Sequence, residues 1–345
     1  MSAPHEDHPP EPPLATFFVM AYGQEALVRH AIESAFAQTY ARLEIILSDD
    51  ASPDGTFRVM EEMAAAYDGP HRVILNRNPR NLGICGHLDR IMELASGEFV
   101  VQNAGDDVSV PERTARMVAA WLASGRRARL IHSRALLIDA DGADRGFKDP
   151  SPRILADPSP RGILAGHLYA LGAASGWDRA LWDVFGPLGP DLGVEDTVLP
   201  LRAALLGEVA HLPEPLVKWR EGGLSWHSRE TTTGRDYMFG GRLKVLRWRA
   251  QSHRRIAADL ARAPAETPGL AGLVALNARL AERVEFEVAA ADAGPAGRLA
   301  MAARALTLSA RRRDAGFARQ WLKYALSPLY IRYLEWRYRP EDLRW

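Results

Sequence analysis

Hydrophobic and polar positions alternate between two periods along the first 140 residues. Short apolar runs over 14–21, 43–48, 72–75, 98–103 and 129–138 have the character of strands buried on both faces. Between them, apolar residues return every three to four positions, as with Leu27, Val28, Ala31, Ile32, Ala35 and Phe36 within 25–38. The same helical period covers 56–67, 84–95 and 111–124, and later 197–206. Strand and helix in alternation predict an α/β fold, a Rossmann-like and mostly parallel sheet flanked by helices. The rhythm breaks over 139–162, where Asp141-Gly142, Asp149-Pro150-Ser151-Pro152 and Pro158-Ser159-Pro160 are turn signals, so a long and partly mobile loop is expected. Past residue 231 strands cease and helical patterns take over, such as Leu273, Leu276, Leu280 and Val284. The expected organisation is a disordered Pro-rich tail (1–13), an α/β domain (14–230, with halves 14–110 and 111–230) and a C-terminal helical region (231–345).

Composition narrows the classes. A chain of 345 residues with 47% hydrophobic content can bury a large core. Lys plus Arg equals Asp plus Glu at 43 each, so no global field recruits nucleic acid, and none is expected as a partner. The single cysteine, Cys85, excludes an internal disulfide and fits a cytoplasmic setting as a small buried hydrophobe. The first ten residues lack the basic and apolar regions of a signal peptide, and no run approaches a spanning helix of about 18 residues. Charge is uneven only at the end: residues 311–345 hold nine basic and four acidic side chains. Phe317, Trp321, Tyr324, Ile331, Leu334 and Tyr338 recur among them at helical spacing. Such a basic amphipathic segment suits peripheral contact with an anionic membrane, and equally suits packing on its own domain.

The candidate chemistry stands where predicted strands end. Open α/β sheets hold ligands beyond the carboxyl ends of their strands. Three such endings here are polar: Met20-Ala21-Tyr22-Gly23, Ser48-Asp49-Asp50-Ala51-Ser52-Pro53-Asp54-Gly55-Thr56, and Gly105-Asp106-Asp107. Two adjacent anions at a sheet rim repel each other and lose hydration unless a cation or donors offset the cost. Asp106 and Asp107 therefore point to a divalent metal. They also suit a helix N-cap ahead of 111–124, with Pro111 at the helix start, although one Asp would serve for that.

The order and spacing of these elements resemble the nucleotide-sugar transferases of glycosyltransferase family 2, which have the GT-A fold. The resemblance covers about residues 14–225 and includes Asn81-Leu82-Gly83, the segments 172–179 and 185–188, and Gly193-Val194-Glu195-Asp196-Thr197. It implies that Asp50 accepts a hydrogen bond from a uracil-type base flanked by Met20, Ala21 and Tyr22. It implies that Asp107 binds Mg²⁺ or Mn²⁺ and that Asp106 holds the ribose or a metal-bound water, the ion stabilising the departing diphosphate. Asp196, beside Glu195, matches the general base; both acids would alternatively just open the helix at 197–206. Arg80 and Arg220 are candidate phosphate contacts, and Trp177 is either a sugar platform or a core residue. Two departures stand out: Trp219 replaces a usual tyrosine, and Gly222 a common histidine for which His227 is only a candidate substitute.

The implied activity is metal-dependent, inverting transfer of a sugar from a UDP- or dTDP-sugar to a hydroxyl of a glycan or lipid-linked acceptor in cell-surface polysaccharide biosynthesis. Two other classes share paired acids on an α/β sheet. A sugar-nucleotide nucleotidyltransferase would need a Gly-rich loop with a basic residue after the first strand, where Met20-Ala21-Tyr22-Gly23-Gln24 stands. A non-catalytic nucleotide-binding scaffold would not need Asp50, Asp106, Asp107 and Asp196 together.

Overall fold

The first four apolar runs form β1 (Ala15–Ala21), β2 (Leu43–Asp49), β3 (Arg72–Arg77) and β4 (Phe99–Ala104), separated by α1 (Val28–Phe36), α2 (Thr56–Ala66) and α3 (Gly83–Leu94). In this computed structural model, which describes residues 11–166, 170–221, 233, 237–312 and 315–337, these strands lie parallel in the order β3-β2-β1-β4. Successive side chains of a strand point to opposite faces. Phe17, Val19, Ile45 and Leu47 accordingly pack with Val28, Ile32, Met117 and Trp121 on one side. Phe18, Ile46 and Val100 pack with Leu88 and Ile91 on the other. Register sets where the strands end relative to one another: Ala21 pairs with Asp49 and Met20 with Ala104. The three polar endings therefore emerge level, along one edge.

Beyond β4 the sheet continues through four more strands, with one further strand paired off that path. The chain runs through β5 (Val108–Ser109), α4 (Arg113–Ala123), β6 (Ala128–Ile138), β7 (Asp144–Lys148), α5 (Pro152–Ala156), α6 (Pro160–Gly166), β8 (Ser175–Asp178), α7 (Ala180–Phe185), α8 (Val198–Leu206) and β9 (Glu208–Arg220). β8 is antiparallel to both β4 and β6, and β9 runs parallel to β6 until Ile138 meets Arg220. Antiparallel pairing of Val108 with Lys218 ties the chain just after the acid pair onto β9. The segment expected as one long loop, 139–162, instead contains β7, paired with β6, and short helices.

The C-terminal helices are α9 (Arg242–Leu260), α10 (Leu270–Asp292), α11 (Pro295–Ala300), α12 (Ala302–Arg312), α13 (Gly316–Ala325) and α14 (Ser327–Arg337). The first two are not a detached appendage, since Ile256, Leu260, Leu273 and Leu276 join the core beneath β1 and β4. A fully buried ion pair reinforces the seam: Arg202 of α8 donates from Nε to Asp259 Oδ2 at 2.8 Å and from Nη2 to Oδ1 at 3.1 Å. Of the tail expected over residues 1–13, residues 11–13 are described and held to the domain. Pro12 and Pro13 accept hydrogen bonds from Arg42 and Tyr40, and Glu11 pairs with Arg42; residues 1–10 lie outside the described residues.

Candidate active site

The 49–56 loop is the scaffold for the loop after β1. Asp49 turns inward, where its Oδ2 accepts from the Ser52 N–H at 3.0 Å and pairs with Arg77. Ser52 Oγ then accepts from the Gly23 N–H at 2.9 Å, and Thr56 Oγ1 from the Gln24 N–H at 2.8 Å. Asp54 accepts from Thr56 and Glu25. This leaves Asp50 facing the cleft at the start of α3, where it accepts from Asn78 Nδ2 at 2.8 Å and from the N–H groups of Leu82 (2.9 Å) and Gly83 (3.0 Å). A carboxylate has about four acceptor sites, so one stays open to a ligand. Behind it His87, which no sequence motif marks, is buried with Nε2 2.7 Å from Ser48 Oγ, and burial lowers its pKa to about 4.

Asp107 does not cap α4. Its Oδ1 accepts from the Arg220 N–H at 3.0 Å, while Oδ2 is buried without a hydrogen-bond partner among the described residues. Burial first, and then the neighbouring charge of Asp106, hold the Asp107 carboxyl well above the ordinary carboxylate range. The loop is clamped from two sides. Arg113, buried in the first turn of α4, donates to Ser109 Oγ (2.9 Å) and to the carbonyls of Ala173 (2.7 Å) and Ser175 (3.2 Å), so it joins the acid loop to the acceptor half. Burial lowers its pKa to about 9. Arg220 donates from Nε to the Asp106 carbonyl (3.2 Å) and from Nη1 to the Asp139 and Ala140 carbonyls (2.7 Å each). This corrects the expectation for Arg220: it positions the loop and does not line the cleft. Arg80 is exposed and also lies outside the lining.

The second acid pair lines the same cleft. Asp196 Oδ1 accepts from the Gly172 N–H at 3.2 Å, and Glu195 accepts from Gln102 Nε2 at 3.4 Å. Burial raises both carboxyls, and the Glu195 charge adds to the rise at Asp196, which stands well above its usual value. A Cβ on Gly172 would sit 2.5 Å from Glu195 Oε1 and 2.9 Å from Asp196 Oδ1, so any larger residue would displace the pair. Both acids stand ahead of α8 and line the cleft.

The cleft holds about 340 Å³, and its wall includes Met20, Ala21, Tyr22, Asp50, Asp106, Asp107, Glu195 and Asp196. It also includes residues the sequence did not single out for a site. Lys148 from β7 lies over the Trp219 ring at 5.8 Å, and Trp248 from α9 closes over Gly193, where any Cβ would strike the indole. Trp177 is not at the cleft: it is fully buried, stacked on Trp182 and edge-on to Phe18. Gly222 and His227 lie outside the described residues.

Residues 16–130 match the family model described as "Glycosyl transferase family 2". The Bacillus subtilis protein EpsE, named as a glycosyltransferase, is 32% identical over 152 residues, which is 43% of this chain and 53% of EpsE. The succinoglycan biosynthesis protein ExoO of Rhizobium meliloti is 34% identical over 125 residues, 36% of this chain and 34% of ExoO. The chain thus spans about half the length, or less, of these relatives. Among solved structures, S. aureus TarS 1-349 in complex with UDP-GlcNAc superimposes with a TM-score of 0.57 at 16% identity, covering 91% of this chain and 92% of that one. At that identity the likeness speaks for the fold, which is GT-A. The polar strand endings gathered on one edge of that fold thus fall in a segment, residues 16–130, that is similar to glycosyltransferase family 2.

Proposed function

We propose that the protein is an inverting glycosyltransferase that moves a sugar from a UDP- or dTDP-sugar to a hydroxyl of a glycan or lipid-linked acceptor in the cytoplasm. The observation that carries this reading is the convergence of two acid pairs, Asp106/Asp107 and Glu195/Asp196, with Asp50 on one cleft. Asp50 and Tyr22 suit a nucleoside, with the open acceptor site of Asp50 meeting a base N–H. Asp196, on the wall of the same cleft, would take the proton of the acceptor hydroxyl as its oxygen bonds to the anomeric carbon. The bond from that carbon to the diphosphate breaks, and the nucleoside diphosphate leaves with the electron pair. Gly172 and Gln102 hold the pair in place, and the raised pKa of Asp196 strengthens it as a base. Lys148 in the cleft wall would meet negative charge on a substrate. The name of ExoO supports a place in polysaccharide biosynthesis.

The residues present fit a divalent ion. Asp107 Oδ2 is a buried acceptor without a partner among the described residues, beside a second carboxylate. No group of three or more His, Cys, Asp or Glu side chains among the described residues forms a closed cage. Mg²⁺ commonly takes only one or two protein carboxylates and completes its shell with phosphate and water. Held by Asp107 with Asp106, such an ion would offset the charge that develops on the diphosphate.

A panel of sugar nucleotides, with and without Mn²⁺, tests the reading by separating released nucleoside diphosphate from pyrophosphate. Release of nucleoside diphosphate is expected, together with metal-dependent thermal stabilisation by UDP. Pyrophosphate would make the protein a nucleotidyltransferase, and failure to bind any sugar nucleotide would remove the proposal.

A further inference from the structure

The last two helices carry a face that the fold leaves uncovered. α13 and α14 run almost as one helix, with the Leu326 N–H donating to the Leu322 carbonyl at 2.9 Å and the Tyr330 N–H to the Leu326 carbonyl at 3.0 Å. Along them Leu322, Leu326, Leu329, Tyr333 and Trp336 recur at steps of four and three residues, which aligns them in one stripe. Their exposures are 47%, 46%, 63%, 48% and 80%. The remaining faces hold the helices to the protein through Phe317, Tyr324 and Leu334, which are buried among Met238, Leu243, Phe286 and Ala290. Single exposed hydrophobics are ordinary, but a continuous stripe that ends in a tryptophan marks an interaction surface.

Charge selects the occupant. The described residues of α11 to α14 include eight Lys or Arg side chains against one acid, Glu335. Some face inward: Arg298 donates to the carbonyls of Ala290 and Ala291, and Arg312 pairs with Glu282. Arg319 and Arg332 are exposed and flank the stripe, Arg319 one turn before Leu322 and Arg332 between Leu329 and Trp336. The four-three spacing would also serve as a seam between two copies of the chain. A second copy would set like charges beside like, which is unfavourable, whereas an anionic lipid surface complements stripe and flanks together. No helix among the described residues is long and apolar enough to cross a membrane. We propose that α13 and α14 dock the protein flat on an anionic phospholipid surface, with Trp336 and the leucines at the acyl boundary and the arginines against the headgroups.

Co-sedimentation of the full chain with vesicles tests this. Binding is expected to phosphatidylcholine mixed with phosphatidylglycerol, to be weak or absent with phosphatidylcholine alone, and to fall as salt rises. Arg319→Gln with Arg332→Gln, two exposed changes that leave the core untouched, should weaken partitioning about 30-fold at low salt. Leu329→Ser with Trp336→Ser should abolish it, with nucleoside diphosphate release from a sugar nucleotide unchanged because neither residue touches the cleft. Failure to bind anionic vesicles, or equal binding by the arginine variant, overturns the proposal. So does a dimer in sedimentation velocity that the Leu329/Trp336 variant converts to monomer, which would assign the stripe to a second copy.

Discussion

Gly172→Ala perturbs the proposed base and little else. The added Cβ would lie 2.5 Å from Glu195 Oε1, 2.9 Å from Asp196 Oδ1 and 3.3 Å from Gln102 Nε2. Ordinary contact begins near 3.5 Å, so the acid pair must shift by about 1 Å, or the backbone must yield. Displacement on that scale at a reacting group costs up to about 100-fold in rate, and overpacking costs about 1–3 kcal/mol in stability. Asp50 and Tyr22 belong to loops after β2 and β1 that Gly172 does not support, so the nucleotide end is left in place. The expected result is kcat for nucleoside diphosphate release down about 100-fold, with UDP affinity by calorimetry near that of the wild type. Gly272→Ala on α10, where a Cβ meets nothing within 4 Å, is the control and should leave both unchanged. Wild-type kcat in Gly172→Ala, with the variant folded, would refute the placement of Asp196 as the base.

Three further outcomes rest on the same contacts. A base works ionised, so kcat should fall as pH drops through the raised pKa of Asp196; Glu195→Gln removes the neighbouring charge, and the acid limb should move to lower pH. A limb that stays put or moves upward contradicts this. The folded-state pKa of Asp107 lies above its unfolded value, so metal-free stability should decline as pH rises from about 3.9 through the raised value. Asp107→Asn should therefore melt no lower than wild type at neutral pH without metal, and should lose the stabilisation that Mn²⁺ gives the wild type; an unchanged Mn²⁺ shift counts against the site. Arg202→Met breaks a buried pair and leaves Asp259 with Arg255 alone, at a cost of about 3 kcal/mol in urea unfolding. One cooperative transition is expected, and separate melting of the helical region would contradict the shared core.

The sequence made the nucleotide half legible because its strands are apolar on both faces and its helices amphipathic, so β1 to β4 fall within a residue or two of the predicted bounds. The acids at the strand ends were legible for the same reason, since parallel strands in register deliver their endings to one edge. What escaped has physical causes as well. β7 reads Asp-Arg-Gly-Phe-Lys, with no alternation to betray a strand, so Lys148 could not be placed at the cleft. Trp248 sits on α9, 54 residues beyond the Val194 it joins in the wall. Arg113 looks like a solvated residue of a first helical turn, yet four oxygen partners from two segments compensate its burial. Arg220 looked like an anion contact because a guanidinium suits phosphate, but backbone carbonyls claim it. Trp177 carried two readings that composition could not separate; pairing of β8 between β4 and β6 puts it in the core.

The most direct test of Asp196 as the base compares Asp196→Asn with the wild type on the same sugar nucleotide, measuring nucleotide affinity by calorimetry and nucleoside diphosphate release in the presence of acceptor. Affinity should stay within about twofold of the wild type, and release should fall by at least about 100-fold. Release at the wild-type rate from Asp196→Asn would contradict the assignment.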